Sequence, residues 1–233
     1  TMGPPRAAEI LRDSLCRGAD RVILLSDRRF AGADTLATSY TLAQAITTHL
    51  SPFDLVICGR QAIDGDTAQV PPQLAEKLGI PQVTYVEQVL ECGDGRLRLR
   101  RDLGRSEEIV EASLPLLMTV PRTANHPRWP DARLLLKYRH ARSGFEIEAE
   151  AKRRGKSVDE TLDYLRTKGL FIESWGVEHI GADLARVGLG GSPTKVKKVD
   201  RVVLKGRDLR FFPPTDAGVK ELIAELIEER TFV

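Results

Sequence analysis

Apolar residues along this chain follow two alternating rhythms as far as about residue 120. Short continuous runs stand at residues 21–27 (RVILLSD), 54–59 (DLVICG) and 116–120 (LLMTV). Runs of that length without a polar face predict strands covered on both sides, as in a parallel sheet. Between them the spacing lengthens to that of a helix. Ala7, Ile10, Leu11, Ser14 and Leu15 predict a first helix entered at Pro5, whose missing N–H is harmless in a first turn, and stopped at Gly18. Leu36, Tyr40, Ala43 and Ile46 predict a second over residues 35–50, and residues 72–78 predict a third that Gly79 ends.

Residues 82–91 are rich in β-branched side chains and partly alternate, which predicts one strand. Gly93-Asp94-Gly95 is a hairpin signal, and residues 96–103 (RLRLRRDL) alternate basic and apolar like a half-exposed antiparallel strand. Alternating buried strands and helices imply an α/β class: a doubly wound, mostly parallel, Rossmann-like sheet carrying an antiparallel hairpin. After about residue 125 the texture changes. Residues 125–133 are proline-rich, residues 131–169 are polar and helical, and Ser157 caps a helix over 158–168. Short strands are expected at 169–175 and 201–206. A terminal helix over 217–229 carries Val219, Leu222, Ile223, Leu226 and Ile227 on one face.

Composition narrows the function classes. With 42% hydrophobic and 29% charged residues the chain is of globular type, and a formal net charge of +2 argues against nucleic acid as the main partner. The local basic clusters (Arg96, Arg98, Arg100 and Arg101; Lys152, Arg153 and Arg154; Lys195, Lys197 and Lys198) read as solvated faces. No apolar run reaches the ~20 residues of a bilayer span, so direct membrane insertion is not expected. Cys16, Cys58 and Cys92 are scattered, with neither a disulfide framework nor metal spacing, and a reducing cytoplasm is the expected compartment. The four histidines (His49, His126, His140, His179) stand in unrelated contexts and read as surface residues. No catalytic residue and no metal site is assigned.

The densest candidate chemistry follows the run DLVIC. Gly59, Arg60, Gln61, Ala62, Ile63, Asp64, Gly65, Asp66, Thr67, Ala68, Gln69 and Val70 combine two glycines with small polar residues at the carboxyl end of a strand, where open α/β sheets bind ligands. Main-chain N–H groups there can approach a diphosphate, and the following helix would aim its positive end at the anion. Asp64 and Asp66 serve equally well as helix caps in a loop without a ligand.

These residues resemble a known family. GRQAIDGDTAQV (59–70) is similar to the loop that marks electron-transfer flavoprotein β subunits, and GLGGSPTKV (188–196) to their Gly-Ser-Pro-Thr loop. Residues 1–5 (TMGPP), 18–46, 81–86 (PQVTYV) and 123–130 (TANHPRWP) resemble further family segments in the same order, with His126 in place of the usual acid. The resemblance implies an adenine-nucleotide α-hydrolase-like fold, a heterodimer with an electron-transfer flavoprotein α subunit, and an electron carrier rather than a stand-alone enzyme. It implies FAD as cofactor, with AMP as the alternative held by simple carriers. FAGADTLATS (30–39) resembles the FAD-binding, electron-bifurcating class. This places Asp34, Thr35, Thr38 and Ser39 near the flavin ring or its linker, Asp66, Thr67 and Gln69 at the diphosphate, and Met2 and Gly3 near the adenosine.

Pro71-Pro72 follows Val70 where the family has Gly then Pro, and the family's first strand is expected to be missing. Residues 1–125 are expected to form the nucleotide- and flavin-binding domain. Residues 126–187 are expected to form a helical insertion recognising acyl-CoA dehydrogenase-type or quinone- and ferredoxin-side partners, with Leu134, Leu135, Leu136 and Trp129 as a docking anchor or a buried helix face. Residues 188–233 are expected to form an arm that packs on the α subunit. Two other readings compete: a non-catalytic nucleotide-binding scaffold, and an ATP-using enzyme. The second would need a Ser-Gly-Gly-x-Asp-type loop, which this sequence lacks.

Overall fold

The computed structural model describes residues 1–63, 65–155, 157–197 and 210–228. The expected strand at 201–206 and the candidate Asp64 lie outside the described residues. The chain divides into two compact units, Thr1–Lys195 and Val196–Val233.

In the first unit α1 (Ala8–Cys16) leads to β1 (Ile23–Leu25), and α2 (Thr35–His49) to β2 (Leu55–Gly59). Successive side chains of a strand point to opposite faces. Leu24 packs with Ala8, Leu11 and Leu15 of α1, while Leu25 packs with Tyr40 and Ala45 of α2. Helices therefore cover both faces of β1, as the uninterrupted apolar run predicts. α3 (Val70–Leu78) follows β2, and the same alternation recurs on β7 (Leu116–Val120). There Leu117 meets Ala43, Leu74 and Ala75, whereas Leu116 and Met118 face the opposite cluster. Parallel sheets flanked by helices make the unit α/β.

Several expected elements differ in detail. Residues 82–91 are two strands, β3 (Gln82–Val83) and β4 (Val86–Gly93), because Tyr85 takes a left-handed conformation at φ 60° between them. The expected hairpin is a three-stranded antiparallel sheet. β5 (Arg96–Asp102) pairs with β4 on one side and on the other with β6 (Glu107–Ser113), a segment too acidic to read as a strand. Its charges face outward in pairs: Arg96 with Glu111 and Arg98 with Glu91, each at 2.7 Å. Solvated pairs of this kind contribute little, about 0–1 kcal/mol each.

The segment after residue 125 holds α4 (Ala132–Tyr138), β8 (Arg142–Ser143), α5 (Gly144–Arg154), α6 (Val158–Thr167) and β9 (Phe171–Trp175). β9 lies parallel to β1 and β8, in the order β1-β9-β8, and the second parallel sheet has the order β2-β7-β3. The stretch expected as a helical insertion thus also supplies two strands to the sheet containing β1. Met2 makes a single parallel bridge to Leu25 on that sheet. Leu135, Leu136 and Trp129 are exposed and Leu134 is half-buried, so this apolar run is not a covered helix face. His49 and His179, unrelated in sequence, meet against Trp175 with ring centroids 4.7 and 5.0 Å from the indole.

In the second unit α7 (Asp216–Glu228) carries the expected apolar positions, of which Val219, Leu222, Ile223 and Ile227 are exposed. Arg210 pairs with Glu225 at 2.6 Å. Among the described residues no helix is long and apolar enough to cross a membrane.

Candidate functional site: two loops and the helix between them

The loop after β2 carries the candidate residues 59–70. Arg60 closes the strand by donating its N–H to the Val120 carbonyl at 3.2 Å. Beyond it the backbone turns back on itself: the Asp66 N–H donates to the Ala62 carbonyl at 3.0 Å, and the Gln61 side-chain amide donates to the Asp66 carboxylate. Asp66 and Ala68 both take left-handed φ values, 51° and 54°. Such a conformation costs a non-glycine residue about 1–2 kcal/mol and persists only where the surroundings impose it. Ala62, Ile63, Gly65, Asp66, Thr67 and Gln69 are exposed, and a Cβ built on Gly59 or Gly65 would meet nothing within 4 Å.

Among the described residues no acceptor takes the main-chain N–H of Thr67, Ala68 or Gln69. Three successive donors in a chain that enters and leaves the left-handed region follow the backbone pattern of main-chain anion nests. The helix behind it differs from expectation. α3 begins at Val70 rather than at Pro72, so Pro71 as well as Pro72 lies inside its first turn. Prolines fit there, but they supply no N–H. An anion at this loop would therefore meet the N–H groups of residues 67–69, and the helix would add mainly its dipole.

The first turn of α2 stands against this loop. Thr35 donates its hydroxyl to Gln69 Oε1 at 3.1 Å and accepts from Gln73 Nε2 at 3.3 Å. Ser39 donates to the Leu36 carbonyl at 2.9 Å, and its Oγ lies 3.3 Å from Gln73 Oε1. The structure brings Thr35 and Gln69 into contact, whereas Ser39 is fully buried and, among the described residues outside α2, bonds to Gln73 of α3. Gln73 stands outside the loop motif of residues 59–70. Its one signal is its place a helical turn after Gln69, on the same face of α3. Thr38 is half-buried in α2.

Asp34, expected near the flavin, is engaged within the protein on both carboxylate oxygens. Its Oδ1 caps α2 by accepting from Leu36 N and Ala37 N, each at 3.0 Å. Its Oδ2 accepts from Thr194 N at 3.1 Å and Thr194 Oγ1 at 2.7 Å. Its own N–H donates to Ser192 Oγ at 2.8 Å. Burial pushes this carboxyl up, but the bonds from Ala37, Thr194 and Leu36 together outweigh burial and hold it below the usual aspartate range. Four donors leave little capacity for a ligand.

The GLGGSPTKV segment is thereby latched onto the start of α2. The fit is tight: a Cβ on Gly188, at φ 55°, would stand 1.9 Å from the Arg29 carbonyl oxygen. Below this latch Asp27 binds Arg29 and accepts the Val177 N–H at 3.1 Å, and the Arg29 side chain, outweighing burial, holds its carboxyl far below the usual range. Met2 and Gly3 lie at the end of β1, where Gly3 donates to the Leu25 carbonyl at 3.0 Å. Burial pushes the Cys58 thiol up, which disfavours the reactive thiolate. No group of three or more His, Cys, Asp or Glu among the described residues could hold a metal.

Main-chain donors at a strand end are thus braced by a polar network from the preceding helix. The family model for the electron transfer flavoprotein domain matches residues 1–158. The chain belongs to the electron transfer flavoprotein family. It is 39% identical to an electron transfer flavoprotein subunit beta of Clostridium acetobutylicum, over 98% of this chain and 76% of that protein. A subunit beta of Megasphaera elsdenii is 37% identical, over 100% of this chain and 73% of the other. The CarD subunit of the caffeyl-CoA reductase-Etf complex of Acetobacterium woodii is also 37% identical, over 98% and 71%. Within the family the chain is of the β-subunit type, with an electron-transfer function.

Proposed function

We propose that this chain is the FAD-binding β subunit of a heterodimeric electron-transfer flavoprotein of the bifurcating type. The observation that carries the reading is the run of main-chain N–H groups at Thr67, Ala68 and Gln69, held in a left-handed turn and hydrogen-bonded through Gln69 to Thr35 of α2. Such donors suit a diphosphate, and Thr67 adds an exposed hydroxyl. Thr35 and Thr38, in the first turns of α2, stand where the flavin end of the cofactor would lie. FAD would supply the electron-accepting ring; the protein binds the diphosphate, orients the ring and limits access of water. Asp34, Ser39 and Gln73 act at one remove by fixing Thr35 and Gln69. Met2 and Gly3, at the end of β1, would contact the adenosine.

Similarity to the CarD subunit favours the bifurcating type, since that protein is named as part of a caffeyl-CoA reductase-Etf complex. The partner reading extends from this: the α subunit supplies a second FAD, and electrons pass between NADH or an acyl-CoA dehydrogenase-type partner and a ferredoxin- or quinone-side acceptor. Exposed Leu135, Leu136 and Trp129 on and beside α4 are the docking anchor for the dehydrogenase-type partner.

The test is to co-purify the chain with an α subunit and quantify nucleotide per heterodimer. Two FAD without AMP supports the reading. One FAD with one AMP assigns the simple carrier instead, and a nucleotide-free chain assigns the scaffold. Thr35→Val should then weaken FAD binding about fivefold, the worth of one neutral hydrogen bond.

A further inference from the structure

A concave feature elsewhere shares no residue with these loops. A cavity of about 530 Å³ is lined by Arg12 of α1, Arg139 just beyond α4, Arg142 of β8, and Glu146, Glu150 and Arg153 of α5. Its volume is in the range of small-molecule sites, yet its lining is wholly charged.

These charges are not equivalent. Glu146 is committed to structure. Its carboxylate accepts from the Ser143 N–H at 2.9 Å and from the Ser143 hydroxyl at 3.1 Å, completing the capping box of α5. It also takes Arg12 Nη1 at 2.9 and 3.0 Å, and Arg12 donates further to the Ala141 carbonyl at 3.3 Å. Both side chains of this pair are largely shielded, at 18% and 31% exposed, so it acts as a strut between α1 and α5.

The other three arginines are held differently. Arg139 Nε meets His140 Nε2 at 2.9 Å. Arg142 Nη1 meets the carbonyls of Arg139 and Ala141 at 3.0 and 2.9 Å. Arg153 Nε lies 3.4 Å from the Ala149 carbonyl. Ring and main-chain acceptors, which do not neutralise charge, fix these guanidinium groups, and no ion pair joins them to a carboxylate among the described residues. Leaving aside the Arg12–Glu146 pair, three oriented cations thus line the cavity together with the carboxylate of Glu150.

We propose that this cavity binds the phosphate group of a small soluble ligand. Each guanidinium is a planar fork that pairs with two oxygens at once. Forks carried by three separate elements suit a tetrahedral group with oxygens in several directions, whereas a carboxylate has two coplanar oxygens and satisfies one fork. Forks already fixed by the main chain lose less freedom on binding. The site is independent of the nucleotide proposed for the 59–70 loop.

The probe is inorganic pyrophosphate, titrated calorimetrically into the full chain carrying whatever nucleotide it purifies with. One saturable site is expected, weakening as salt rises. Arg142→Gln and Arg153→Gln should each weaken it about tenfold, the worth of one charge-assisted bond. Glu150→Gln should tighten it about threefold by removing a like charge. Arg153 is exposed, so its variant keeps the fold, and an unchanged melting temperature will confirm that. Absence of saturable binding, or binding unaltered by both arginine variants, overturns the proposal. So does tighter binding of a tetraglutamate peptide than of pyrophosphate, which would give the cavity to an acidic protein segment.

Discussion

Two loops of this molecule follow the carboxyl ends of parallel strands and are built in opposite ways. The one after β1, residues 27–34, is closed over by the 188–194 segment. There Asp34 accepts four hydrogen bonds, Asp27 is paired with Arg29, and a Cβ on Gly188 would collide with the main chain of Arg29. The one after β2, residues 59–70, is open. Its glycines have free space around them, its side chains reach solvent, and Ala68 holds a conformation that its own chemistry disfavours. Hydrogen-bonding capacity spent within the protein marks a structural loop; capacity left over, together with backbone strain, marks a binding loop. The sequence presents both as glycine-rich segments with acidic residues.

The contrast breaks most directly at the glycines. Gly188→Ala combines a backbone collision with a left-handed φ and should cost at least about 3 kcal/mol in urea unfolding. Gly65→Ala should stay within about 0.5 kcal/mol, since its Cβ meets nothing. Equal costs at the two positions would end the distinction. Next in size is Asp34→Ala, which removes a helix cap and both Thr194 bonds and should cost about 2 kcal/mol. A loss of FAD affinity without a loss of stability would instead restore Asp34 as a direct ligand contact. Smaller and of opposite sign is Ala68→Gly, which relieves the left-handed strain and should stabilise the nucleotide-free chain by about 0.5–1 kcal/mol in the same unfolding experiment.

What the sequence revealed follows the range of the interactions involved. The runs at Leu24-Leu25 and Leu116-Leu117-Met118 are local patterns, and each strand is covered on both faces as they require. Tyr85 interrupts an apparently continuous strand because its N–H bonds to Thr119 Oγ1, a partner that no local pattern reveals. β9 beside β1 is a long-range pairing of the same kind. At the site, the resemblance brought Thr35 and Gln69 into one list, and the structure joins them. Gln73 remained hidden because a polar residue on a short helix reads as solvent-facing. Two of Asp34's four donors, the Leu36 and Ala37 N–H groups, belong to the helix it caps, whereas the two from Thr194 come from a segment remote in sequence that no local pattern reveals.

The smallest effect concerns acid, and it separates the two carboxylates that hold the structural loop. Both are held below the ordinary aspartate value of 3.8, Asp27 the further of the two. A carboxyl depressed by folding contributes stability that is fully present above its unfolded value and is lost as pH falls through its folded value. The latch through Asp34 should therefore be intact from neutral pH down to about pH 4 and weaken below it. The Asp27–Arg29 pair should persist to lower pH, because the adjoining guanidinium favours the charged form more strongly than neutral donors do. Amide chemical shifts report each directly, since Thr194 N–H binds Asp34 and Val177 N–H binds Asp27. The Thr194 shift should move first on acidification and the Val177 shift later. In Asp34→Asn the early movement should vanish, because an amide does not titrate. Movement of both amides together would mean that acid opens the whole 188–194 segment at once, and that the latch has no separate existence from the pair below it.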